Sequence, residues 1–150
     1  VLIKQAATIG DRGIEADNNE ANNDSTPRAQ PILSNLTIIG RAGDSATQGV
    51  LLRRGTGANI WNSVITGSPT CLTIDGAATF ANAGAPGSLT GSLTIQNSFV
   101  NCAANFADGD DATFTTSDWF LSQSGNVAGD SLLSGYLPAA GKPTAAKEAG

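Results

Sequence analysis

The sequence predicts an all-β solenoid: a right-handed parallel β-helix of about three to five coils, with irregular insertion loops and a C-terminal capping segment. Three observations carry this reading. Long segments of helical periodicity are missing, and short β-prone runs bounded by Gly, Asn, Asp and Ser recur instead. A phrase opening on Asn occurs three times. A second strand-like phrase precedes it each time, so two strand types alternate three times along the chain.

The Asn phrase reads Asn35-Leu36-Thr37-Ile38-Ile39-Gly40, then Asn62-Ser63-Val64-Ile65-Thr66-Gly67, then Asn97-Ser98-Phe99-Val100-Asn101-Cys102. Its partner reads GIEAD (13–17), GVLLRR (49–54) and CLTID (71–75). The spacing is unequal because segments 18–31 and 76–91 read as insertions, whereas an ankyrin or leucine-rich array would hold its period. Coils of a β-helix stack about 4.8 Å apart, so equivalent side chains lie over one another. Ile38, Ile65 and Val100 then form one internal stack, and Ile14, Val50 and Leu72 a second. Asn35, Asn62 and Asn97 form a ladder at a bend, where each amide can bond its neighbour and satisfy turn backbone. A β-sandwich or jelly roll also strings short strands together, but does not require one phrase to align position by position. On this reading residues 1–113 are coils, 114–138 the cap and 139–150 a mobile tail.

Composition narrows the function classes. The 150 residues suffice for one domain with a continuous core. Only 14% are charged, the net charge is -5, and 40% are apolar, so charge does not force disorder. The absence of a basic run sets aside nucleic acid and anionic membrane surfaces as partners. No apolar run approaches the ~20 residues of a spanning helix. There is no His, which excludes Ser-His-Asp and Cys-His catalysis and histidine metal sites within this chain. With no Met and no leader-like pattern before Val1, the chain reads as a processed or recombinant piece of something longer.

Both ends need covering, since terminal turns of a solenoid expose core and unpaired backbone. The opening Val1-Leu2-Ile3-Lys4-Gln5 looks like a strand already under way, which implies an upstream segment or a companion chain over the first coil. At the other end, segment 114–138 gathers Trp119, Phe120, Leu121, Leu132, Leu133 and Tyr136. These are expected to fold over the last coil, with Ser117-Asp118 capping a short turn. The competing reading is an aromatic platform for stacking sugars.

Cys102 aligns with Gly67, four residues before Cys71, so stacking brings the two sulfurs within bridging range. A Cys71–Cys102 disulfide would imply an oxidising, extracytoplasmic setting. Two buried free thiols packed as small hydrophobes are the alternative. The sequon at Asn23-Asp24-Ser25 matters only in a eukaryotic secretory pathway, and the match at Asn35-Leu36-Thr37 falls on the ladder.

The phrases SNLTIIG, GVLLRRGTGANIWNSVITG and CLTIDG resemble coils of bacterial right-handed β-helix repeat proteins of the pectin-lyase-like class. The resemblance covers roughly residues 10–110. The ending GYLPAAGKPTAAKEAG is similar to the PAAGSPAIDAG ending of large surface and secreted members, from which Lys142, Thr144 and Lys147 depart. Many such proteins are adhesins or surface proteins, and others cut polysaccharides.

The aligned strands put Asp17, Arg53 and Asp75 in one outward column, and a fourth phrase beginning at Asn105 adds Asp108. In β-helix polysaccharide lyases carboxylates hold Ca²⁺ against an acidic sugar while Arg or Lys removes the α-proton. The resemblance therefore makes Asp17, Arg53, Asp75 and Asp108 the best catalytic-looking set. The plainer reading is a ladder that balances charge on a solvated face. Asp108, Asp110 and Asp111 of the DGDD turn are weak Ca²⁺ candidates. No other cofactor is expected.

The leading expectation is a structural or interaction module of a secreted or cell-surface bacterial β-helix. It would present loops 18–33, 41–48 and 76–92 to a polysaccharide or cell-surface partner. The alternative is a Ca²⁺-dependent polysaccharide lyase using the Asp/Arg column.

Overall fold

The computed structural model describes residues 1–6, 10–41, 47–88 and 91–130. Three parallel sheets form the walls of a coil. The first coil is β1 (Leu2–Lys4), β2 (Arg12–Ala16) and β3 (Ile32–Ser34), and the second is β4 (Thr37–Ile39), β5 (Gln48–Leu52) and β6 (Asn59–Trp61). The third is β7 (Val64–Thr66), β8 (Thr70–Ile74), helix α1 (Ala77–Ala83) and β9 (Thr94–Gln96). The fourth is β10 (Phe99–Asn101), β11 (Ala104–Asp108) and helix α2 (Thr116–Leu121), after which β12 (Val127–Ala128) begins a fifth pass. Sheet A runs β1-β4-β7-β10-β12, sheet B β2-β5-β8-β11 and sheet C β3-β6-β9, with every strand pairing parallel. This is a parallel β-helix.

The stacks follow from register. Ile3, Ile38, Ile65, Val100 and Ala128 pair in line through sheet A, and Ile14, Val50, Leu72 and Phe106 through sheet B. A third column, Leu33, Ile60 and Ile95, lines sheet C. In the middle coils these side chains are sealed from solvent, each contributing about 1.5–3 kcal/mol of apolar burial. In coil 1 their counterparts Ile3, Ile14 and Leu33 are only partly buried, and Leu2 and Ile32 stand in the open.

At the corner from sheet C to sheet A, Asn35, Asn62 and Asn97 adopt left-handed backbone, with φ of 55°, 49° and 49°. Asn tolerates this region better than other residues with a Cβ. The rungs there are backbone bonds: the N–H of Asn35 donates to Trp61 O at 3.1 Å, that of Asn62 to Gln96 O at 3.1 Å, and that of Asn97 to Ser124 O at 2.9 Å. The side-chain ladder runs one residue later and inside the wall. Leu36 N–H donates to Ser63 Oγ at 3.4 Å, Ser63 N–H to Ser98 Oγ at 3.1 Å, and Ser98 N–H to Asn126 Oδ1 at 2.9 Å. Among the described residues no carboxamide of one ladder Asn bonds the next, which corrects the amide ladder expected from sequence. An αL backbone turns the Asn side chain to the rim while its neighbour's hydroxyl points inward.

The coil does not end at residue 113. β12 pairs with β10 through Phe99–Val127, and Gly125, at φ 68°, takes the left-handed position of the ladder Asn. Segment 114–130 therefore combines a cap with a further pass. The N-cap of α2 is Thr115, whose hydroxyl accepts from Asp118 N–H at 3.1 Å, rather than Ser117-Asp118. Trp119 and Phe120 are buried over the final coil, and the Trp119 indole N–H donates to Ala83 O at 3.1 Å. These two rings are packing, so a sugar platform built on them is corrected; Leu121 points to solvent. Leu132, Leu133, Tyr136 and the tail at 139–150 lie outside the described residues.

The structure joins Cys71 and Cys102 in a disulfide, tying coil 3 to coil 4 at the corner from sheet A to sheet B.

Candidate functional site

The outer end of sheet B carries the Asp/Arg column. Ladder pairing continues past the strands, with Arg53 N–H donating to Ala16 O at 3.0 Å and Asp75 N–H to Leu52 O at 2.9 Å. Asp17, Arg53 and Asp75 thus stand at one level of successive coils. Asp108 does not: it pairs with Ile74, and Gly109 comes level with Asp75. The registry is set by Phe106 over Leu72, and matching the two aspartates instead slips the strand by one residue.

Arg53 turns back to coil 1. Its Nε donates to Asp17 Oδ1 at 3.0 Å and its Nη2 to Glu15 Oε1. Arg54 joins it, with Nη1 2.7 Å from Asp17 Oδ2 and Nη2 2.6 Å from Glu20 Oε1. Both Asp17 oxygens are therefore occupied by guanidinium groups. Burial opposes the charge on Arg53, but hydrogen bonds and Coulombic attraction from Asp17 and Glu15 outweigh it and hold the guanidinium above its ordinary range. Such a group stays protonated and is a poor proton acceptor.

Sequence reasoning missed Glu15, Glu20 and Arg54. Neighbours in a strand point to opposite faces, so Arg54 looks misplaced beside Arg53. Its φ of 53° breaks the strand and swings its side chain to the same side. The RR dipeptide at a strand end was the available signal.

Asp75 serves the next coil. Its Oδ1 accepts the N–H of Asp110 at 2.8 Å, and a Cβ at Gly109 would collide with that carboxylate, so the turn closes because residue 109 is Gly. Asp108 Oδ1 accepts from Thr116 N–H at 2.7 Å, at the start of α2. Nearby, an open depression of about 420 Å³ lies between β11 and α2, lined by Ala104 to Asp108, Thr115 and Ser117.

Residues 1–133 match a family model described as a pectate-lyase-like beta helix domain. The chain belongs to that family. No curated protein and no solved structure matches it.

A Ca²⁺ site at the DGDD turn would need converging carboxylates. Among the described residues no three Asp, Glu or Cys side chains converge as a metal-holding group. Asp108 accepts from Thr116 while Asp110 donates its backbone N–H to Asp75, so the DGDD turn is held by hydrogen bonds to α2 and to the preceding coil. Among the same residues no helix is long and apolar enough to cross a membrane.

The expected contact loops sit at the remaining corners. Residues 32 and 33 of the first belong to strand β3, so that loop ends at Pro31. Asn18 organises it, with Nδ2 donating to Asn23 O and Ser25 O at 3.0 Å each and Oδ1 accepting from Ala29 N–H at 2.8 Å. The third contains α1, whose Phe80 and Ala83 enter the core. Residues 42–46 and 89–90 of the other loop segments lie outside the described residues.

Proposed function

We propose that this pectate-lyase-like β-helix domain is an interaction module of a secreted or cell-surface protein, a rigid stack that holds its corner loops toward a polysaccharide or cell-surface partner. The observation that carries this reading is the ion-paired state of Asp17 and Arg53 in the column. Arg53 and Arg54 are shared among Glu15, Asp17 and Glu20, which leaves neither a deprotonated base nor a free carboxylate pair at the position where a lyase would work. The disulfide supports an extracytoplasmic setting, where such bonds persist. The loop at 17–31, pinned by Asn18 and by Arg28 donating to Gly55 O, supports a preorganised contact surface.

The lyase alternative rests on Asp17, Arg53 and Asp75 sharing one level. It requires Arg53 to leave two carboxylates and lose a proton that they hold in place. Incubation of the full chain with polygalacturonate and Ca²⁺, followed by ultraviolet absorbance, decides between the two. The interaction reading expects no unsaturated product and retention on a polysaccharide or cell-surface matrix. Product that Arg53→Ala abolishes would overturn it.

A further inference from the structure

Sheet C presents an outer wall that the Asp/Arg column does not use. Ile60 and Ile95 face the core, so their neighbours face out. Register places Trp61 between Ser34 and Gln96, and Asn59 between Ile32 and Thr94. Trp61 is 39% exposed, whereas the chain's other tryptophan, Trp119, is fully buried. Beside them the left-handed corner sets Asn62 and Asn97 at the rim. The carboxamides of Asn62, Gln96 and Asn97 make no hydrogen bond to another described residue. Segments 32–35, 59–62 and 94–97 contain no ionisable side chain, in a chain of net charge -5.

We infer that this wall, centred on Trp61, binds a neutral glycan strand, which deepens the interaction reading above and rests on it. A partly exposed indole on the outer side of a sheet can stack on the C–H groups of a sugar ring. Carboxamides both donate and accept, as sugar hydroxyls require. The rungs are about 4.8 Å apart, close to the length of one hexose ring, so successive sugars along the solenoid axis meet successive coils. The lack of charge selects an uncharged chain over a uronate, which the acidic protein would repel. A protein partner would find Trp61 and Ile32 set among amides and hydroxyls, short of a continuous apolar patch.

Titration of the full chain with cellohexaose, xylohexaose and mannohexaose, followed by tryptophan emission and calorimetry, tests this. At least one hexasaccharide is expected to shift the emission, because Trp61 is the exposed indole. Trp61→Ala should weaken binding about tenfold or more, as truncation of an aromatic anchor does, and Gln96→Ala by a few-fold, both with unchanged circular dichroism. Absence of heat and of an emission change with all three sugars at millimolar concentration overturns the inference. So does tighter binding of hexagalacturonate, or self-association that Trp61→Ala abolishes, which would make the wall a contact between copies. Trp61→Ala protein that still binds a polysaccharide or cell-surface matrix as the parent does would overturn this face while leaving the interaction module standing.

Discussion

The backbone N–H of Ser63 donates to the hydroxyl of Ser98 in the coil that follows, at 3.1 Å, and both side chains are sealed from solvent. The Ser98 hydroxyl in turn donates to Gln96 O at 2.9 Å. Each rung thus satisfies a buried backbone donor that the sheet-to-sheet corner would leave unpaired. Ser98→Ala should destabilise the chain by about 1–3 kcal/mol, the cost of an unsatisfied buried group. Denaturant unfolding measures it, and Ser98→Thr, which keeps the hydroxyl, should recover part of the loss.

Asn62 should behave differently, because its contribution is conformational. Asn62→Gly keeps a residue that enters left-handed backbone freely, and the midpoint should hardly move. Asn62→Ala should cost about 1 kcal/mol and Asn62→Val more, following the steric penalty for a Cβ in that region. Equal losses for Gly and Ala would show that the side-chain amide carries the stability.

The Cys71–Cys102 bridge closes a loop with a sequence separation of 31. Reduction, or the double Cys→Ser variant, should lower stability by about 2–5 kcal/mol. Intact mass before and after alkylation establishes the bridge directly, since two thiols alkylated without reductant would mean that it does not form.

The Arg53 cluster should add little stability and show little pH dependence in the neutral range. The folded-state guanidinium sits above its ordinary value. Its contribution is therefore complete below the unfolded value and lost only as pH rises through the folded one, beyond the ordinary arginine range. The gap in Tm between parent and Arg53→Ala should stay constant from neutral to mildly alkaline pH. Each partly exposed pair supplies about 0–1 kcal/mol, shrinking as salt is added.

The fold was legible where one residue type occupies one level of the coil. Ile38, Ile65 and Val100 align because every coil must fill the same space. The third wall was less visible, since Leu33, Ile60 and Ile95 are the single inward apolar residues of three-residue strands and each sits two residues before the Asn of the repeated phrase. The last pass was hidden too: Gly125-Asn126-Val127 replaces the Asn-Ser pair with Gly-Asn, preserving the geometry and changing the letters. The chemistry of the column was harder still. Its partnerships depend on the αL turn at Arg54 and on a one-residue register at Asp108, and neither is written in composition or spacing.

Successive rungs of the serine ladder lie 27, 35 and 28 residues apart, yet the corner from sheet C to sheet A keeps one shape in every coil. All of the variation in length falls at the other corners, where α1 and the loop at 17–31 project. A segment added on the outward side of such a loop leaves the rungs of this corner unchanged, whereas α1 fills the core with Phe80 and Ala83 and bonds coil 2 through Asn82. For inheritance this means that new surface can be acquired by insertion into the outward part of a loop, while the residues that bond a neighbouring coil, such as Arg28, Thr79 and Asn82, must persist together with it.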